Sequence, residues 1–98
     1  MNLVEFSQIS MSALFYILRS VKANRFYIGH TTETLEERIR KHNSNHGGFT
    51  GRFRDWVLVY HEKFDSKDLA YRRELEIKSW KSRKRIERLI VGSTHPGS

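Results

Sequence analysis

The sequence predicts a small α/β (α+β) domain: a three-stranded antiparallel sheet flanked by helices, in the order β-β-α-β-α-α. Three observations predict it. Two short aromatic and aliphatic runs, 14–19 and 26–30, flank the turn-forming Lys22-Ala23-Asn24. A third run of the same kind, WVLVYH, occupies 56–61. The segments between and after these runs carry apolar residues at helical spacing behind Thr and Ser caps.

Each element follows from local chemistry. Residues 14–19 are too few and too rich in Leu, Phe, Tyr and Ile for an ordinary helix, so they read as a strand. Residues 26–30 read as its hairpin partner, because 22–24 has loop length and Asn24 tolerates positive φ. Gly29 is out of place there: glycine weakens a strand and often marks the close approach of another group. Thr32 or Thr34 starts the first helix, and Thr34 with Glu37 makes a capping box. That helix runs to about Asn43. The loop 44–54 contains Gly47, Gly48 and Gly51. Beyond the third strand, Ser66 caps a second helix over about 67–80, with Lys67 and Asp68 in its first turn. A break near Lys81 precedes a third helix at about 82–90. Residues 1–12 read as a loose N-terminal extension, with Met11 an alternative start, and 92–98 as a disordered tail. The domain is then 13–91.

A chain of 98 residues holds one domain and a thin core, with 38% hydrophobic and 12% aromatic residues. The absence of cysteine excludes a disulfide scaffold, a Cys-ligated zinc site and a cysteine nucleophile. It also suits a reducing, cytoplasmic setting. No apolar span reaches transmembrane length, and the marks of a signal peptide are missing. Eighteen Lys and Arg against 11 Asp and Glu give a net charge of +7 and point to a polyanion, nucleic acid ahead of an anionic membrane. The charge is clustered. Residues 38–54 carry +5, residues 72–88 carry +5, and the remainder carries −3.

Polar residues interrupt the apolar stripes in a consistent way. On the second helix Leu69, Ala70, Ile77 and Trp80 form a stripe that Glu74 enters. A buried charge needs a partner or a metal, so Glu74 is either an ion-paired residue or a metal ligand or base. On the first helix Arg38 and His42 share the side of Leu35, where they either bind a phosphate or snorkel at the edge of the core. Tyr16 and Tyr27 lie either side of the hairpin, where a tyrosine is ordinarily a packing residue.

Taken together, these residues resemble a known family. Leu14-Phe15-Tyr16-Ile17-Leu18, Phe26-Tyr27-Ile28-Gly29 and 35–43 resemble the GIY-YIG nuclease domain, and Ala70-Tyr71-Arg72-Arg73-Glu74 with 76–80 resembles its second helix. The similarity covers about 13–90. It is strongest to the small stand-alone YhbQ-like bacterial members and extends to the catalytic domain of the excision-repair nuclease subunit. The first half-motif reads Leu-Phe-Tyr in place of Gly-Ile-Tyr and keeps its tyrosine. Gly48, Phe49 and Thr50 look like the glycine-plus-aromatic-Thr loop of the stand-alone members. The resemblance implies that Tyr16, Tyr27, Arg38, His42 and Glu74 are catalytic, with Glu74 holding Mg²⁺ or Mn²⁺.

The implied activity is a metal-dependent DNA endonuclease, structure-specific and linked to repair or recombination, and active as a monomer or transient dimer. Whether RNA is also cut stays open. His30, Arg40, Lys41, Arg52, Arg54, Arg73, Lys78 and Lys81 are the expected nucleic-acid contacts. Carboxylate oxygens suit a hard cation that keeps several waters, and Arg38 offers phosphate a planar fork. Arg38 and the metal would favour the phenolate of Tyr16 or Tyr27, the former preferred as base, with His42 relaying the proton or orienting the tyrosine. The alternative is a module that binds nucleic acid without cutting it. Deletion of residues 2–10 is expected to leave the melting temperature nearly unchanged, and a large drop in a thermal scan would overturn the boundary drawn at residue 13.

Overall fold

The computed structural model describes residues 12–44, 48 and 50–94. Three strands, β1 (Ala13–Ser20), β2 (Arg25–Thr31) and β3 (Val57–Phe64), form one sheet of order β2-β1-β3. Both pairings are antiparallel. The helices are α1 (Leu35–His42), α2 (Lys67–Ser79) and α3 (Arg83–Thr94), with a 3-10 turn at Thr50–Arg52. The predicted order β-β-α-β-α-α is the observed one.

β1 is the middle strand and is covered on both faces. Phe15 and Ile17 point to one side, where Ile77 of α2 and Ile86 of α3 complete a cluster. Tyr16 and Leu18 point to the other, where they meet Trp56, with Leu35 and Ile39 of α1 packed against them. The period-2 alternation of a strand therefore sorts one run of residues into two cores. A bulge sets the register against β3: Ile17 faces Tyr60 while Leu18 faces Leu58, so Val59 is the extra residue.

The local signals act as expected at the caps. Asn24 adopts φ 54 in the hairpin turn. The Thr34 side chain accepts from Glu37 N, and the Ser66 side chain accepts from Leu69 N. The second half of the capping box is spent elsewhere, since the Glu37 carboxylate pairs with Arg40. Lys81 at φ 48 breaks α2 from α3.

Some boundaries differ from expectation for identifiable reasons. Trp56 lies outside β3 because its backbone N–H and C=O are taken by the Asn43 side chain, at 2.8 and 2.9 Å. β3 continues past His61 through Glu62, whose charge is met by the Arg73 fork at 2.9 and 3.0 Å. Leu69 is exposed rather than part of the stripe, because it sits about 100° around the helix from Ala70, and Ala70, Glu74 and Ile77 form the buried line. α3 runs on through Gly92 to Thr94, where a tail was expected from residue 92; an isolated glycine weakens a helix by about 1 kcal/mol without ending it. Residues 1–11 of the expected extension 1–12, and residues 95–98, lie outside the described residues.

Gly29 has its explanation in the packing of β2 on β1. It pairs with Tyr16, and a Cβ placed on it would lie 2.7 Å from the Tyr16 hydroxyl and 3.0 Å from the Tyr27 ring. Tyr16 has no exposed surface into which to move. Gly29→Ala is expected to destabilise the fold by about 1–3 kcal/mol, as overpacked cores do, read as a fall in the urea midpoint; an unchanged midpoint would show that Tyr16 can retreat.

Candidate active site

The face of the sheet under α1 collects four of the five expected catalytic residues. Tyr16 comes from the middle strand and Tyr27 from the edge strand, and their rings stack at 6.2 Å between centroids. Arg38 and His42 come from successive turns of α1, so their side chains descend on the same side. The Tyr16 hydroxyl lies 2.9 Å from His42 Nε2 and 3.4 Å from an Arg38 terminal nitrogen. The Tyr27 and His42 ring centroids are 4.3 Å apart. Tyr27, Arg38, Lys41, His42 and Thr50 line a cleft of about 480 Å³.

The contacts fit one assignment of donors and acceptors. A guanidinium can only donate, and Arg38 reaches His42 Nε2 at 3.4 Å. Assigning Nε2 as the accepting nitrogen leaves the proton on Nδ1. That proton is donated to Thr50 Oγ1, 3.0 Å away. The Tyr16 phenol then donates to Nε2. Thr50 is held in turn, since Trp56 Nε1 donates to its carbonyl at 2.8 Å. A chain runs from Asn43 through Trp56 and Thr50 to His42 and Tyr16, and most of it is buried.

Burial pushes the Tyr16 phenol above its usual pKa, and the Arg38 hydrogen bond and charge offset this only in part. Among the protein's own groups, burial thus outweighs Arg38 and favours the neutral phenol. The Tyr27 hydroxyl has no hydrogen-bond partner among the described residues. Arg38 Nε is likewise buried without an acceptor among them.

Glu74 is set apart from this group. It is buried in the stripe of α2, as its spacing indicated. Its Oε1 accepts from His30 Nδ1 at 2.7 Å, and its Oε2 from Lys78 at 2.6 Å. No hydrogen bond joins it to Tyr16, Arg38 or His42 among the described residues. Its charge still reaches Tyr16, adding the smallest of the contributions that raise that phenol's pKa. No cluster of three or more His, Cys, Asp or Glu able to hold a metal occurs among the described residues.

The expected nucleic-acid contacts divide into committed and uncommitted groups. Arg73 is committed: besides its fork on Glu62 it pairs with Glu76 at 3.0 Å, and its side chain is only 21% exposed. It ties α2 to β3. His30 and Lys78 are engaged by Glu74. Arg40 pairs with Glu37, and Lys41 with Glu33, both at the exposed surface. Arg52, Arg54 and Lys81 are exposed and carry no ion pair among the described residues. Thr50 was not among the expected site residues. Its only signal was the likeness of its loop, since nothing in the spacing ties 50 to 42.

The shifted phenols give a pH dependence with a definite sign. Tyr60 is also raised, by burial and by its bond to Glu62. Both folded-state values lie above the unfolded value of about 10, so the unfolded chain ionises first as pH rises. Their contribution is complete below pH 10 and is lost as pH climbs through the folded-state values. A titration at 295 nm is expected to show two delayed phenols in the folded protein, one of which disappears in Tyr16→Phe; no delayed phenol would contradict the burial of Tyr16.

Comparison with known proteins agrees with this architecture. Residues 12–87 match the GIY-YIG catalytic domain. A UPF0213 protein of Staphylococcus haemolyticus is 42% identical over 73 residues, covering 74% of this chain and 87% of the relative. A UPF0213 protein of Natronomonas pharaonis is 42% identical over 80 residues, covering 81% and 91%. The solution NMR structure of a UPF0213 protein from Bacillus halodurans matches with a TM-score of 0.55 at 36% identity, covering 88% of this chain and 89% of that one. The hairpin tyrosines, the helix Arg and His, and the match over 12–87 lead to one conclusion: the chain belongs to the GIY-YIG catalytic domain family, a superfamily of nucleases.

Proposed function

We propose that this protein is a divalent-metal-dependent DNA endonuclease whose proton path runs from Tyr16 to His42. The observation that carries the reading is the Tyr16–His42–Arg38 group beside an open cleft. Arg38 lines the cleft, where a phosphodiester offers oxygen acceptors to its guanidinium.

The residues divide the work as follows. Arg38 grips the non-bridging oxygens of the phosphate. Tyr27, which lines the cleft, holds the attacking water. Tyr16 takes the water's proton as it hands its own to His42 Nε2, so no standing phenolate is required. Thr50 keeps the accepting nitrogen of His42 turned toward Tyr16. Arg52, Arg54, Lys41 and Lys81 follow the flanking backbone.

Glu74 fits Mg²⁺ or Mn²⁺. Its oxygens are hard donors, its side chain is 11% exposed, and the Lys78 ammonium already stands where a cation would. Lys78 is 52% exposed and free to swing aside. A bound ion would supply charge neutralisation at the phosphate and the leaving oxygen.

One observation favours a second reading. Both Glu74 oxygens are already occupied, by His30 and Lys78, as in a structural ion pair. On that reading the protein binds nucleic acid without cutting it. Either way, no helix among the described residues is long and apolar enough to cross a membrane. Nicked, flapped and branched DNA with Mg²⁺ separates the two. The enzyme reading expects cleavage that falls by about 10²–10⁴-fold in Tyr16→Phe and in His42→Ala, and that is abolished in Glu74→Ala. Salt-sensitive retention without cleavage, or equal cutting by Glu74→Ala, overturns it.

A further inference from the structure

The proton path leaves one surface feature unused. On the side of Glu74 away from Lys78, the His30 ring meets Tyr71, with centroids 5.1 Å apart and planes at 50°. These two residues, with Lys67 and Asp68, line a cleft of about 530 Å³. Tyr71 is 44% exposed, although the buried line of its helix passes directly beside it through Ala70 and Glu74. Its hydroxyl has no hydrogen-bond partner among the described residues. The aromatic face is therefore turned to solvent at the edge of the candidate metal-binding carboxylate.

The charges around this face are sorted by sign. Asp68 is engaged by Arg72 at 3.0 Å. Glu74 is engaged by His30 and Lys78. Lys67 carries no ion pair among the described residues. The cleft thus offers one aromatic plane and one uncommitted ammonium, beside an exposed Asp68 paired at the surface with Arg72. A nucleotide has the matching parts: a flat base to stack on the ring and a phosphate for the ammonium.

We infer that Tyr71, backed by His30, is a stacking platform for an unpaired nucleobase, with Lys67 on the adjoining phosphate. The placement of that base next to the cut phosphate rests on the nuclease reading above. It narrows the substrate to strands that present an unstacked base beside the scissile bond: single strands, flaps and frayed ends. In an intact duplex both faces of an internal base are covered by its neighbours, and extruding it costs a few kcal/mol.

The test uses the full chain in EDTA, with a single-stranded oligothymidylate carrying one 2-aminopurine and a blunt duplex carrying the same base internally. The wild type and Tyr71→Phe are expected to quench the single strand. Tyr71→Ala is expected to lose the quenching and about 5- to 100-fold in affinity, the range measured for removing a base-stacking aromatic. Quenching of the duplex should be weaker than that of the single strand. Equal quenching and affinity in Tyr71→Ala overturn the platform, as does equal quenching of the blunt duplex. The same oligonucleotide with Mg²⁺ keeps the two readings apart. Quenching without cleavage supports the platform and removes the nuclease; cleavage with quenching unmoved by Tyr71→Ala removes the platform and leaves the nuclease.

Discussion

Tyr16 has no solvent exposure, yet its hydroxyl must still be hydrogen-bonded, because an unpaired buried polar group is costly. Much of the fold is arranged around that requirement. β2 needs Gly29 opposite it to leave room for the ring. α1 must cross at a height that brings His42 Nε2 to 2.9 Å. His42 needs an acceptor for its other nitrogen, which Thr50 provides from a loop eight residues later. That loop is fixed because Asn43 clamps the backbone of Trp56 and Trp56 bonds the carbonyl of Thr50. Changing one member therefore disturbs elements from the hairpin to the start of β3.

The same network bears on the ionisation of Tyr16. Burial opposes the phenolate, and the Arg38 charge does not overcome it. The phenol is held 2.9 Å from His42 Nε2 instead. Arg38 lies 3.4 Å from both members. The lone carboxylate lies outside this chain, held by His30 and Lys78 and coupled to it by charge. The Tyr16–His42 pair and the buried carboxylate are thus on separate supports, one under α1 and one on α2.

The distribution of basic residues follows a similar division. A net charge of +7 does not by itself give a binding surface. Arg73 is consumed in joining α2 to β3, and its pKa is raised by the carboxylates that hold it. Arg83 braces α3 against the hairpin through the Asn24 carbonyl and side chain. The cations left over, among them Arg52, Arg54, Lys67 and Lys81, are exposed.

Local sequence chemistry alone determined the element order, the cap at Ser66, the turn at Asn24, and the placement of Glu74, Arg38 and His42 on or beside apolar stripes. Those features depend on spacing within one element, and period 2 or 3.6 reveals them. It did not determine which polar groups meet. Glu74 found His30, 44 residues away, rather than an Arg; Thr50 found His42; Arg73 found Glu62. Nor did it show that Gly29 is shaped by Tyr16, or that Tyr16 is too buried to ionise readily. Each of these depends on distances between separate elements, and those are set only when two cores close over opposite faces of β1.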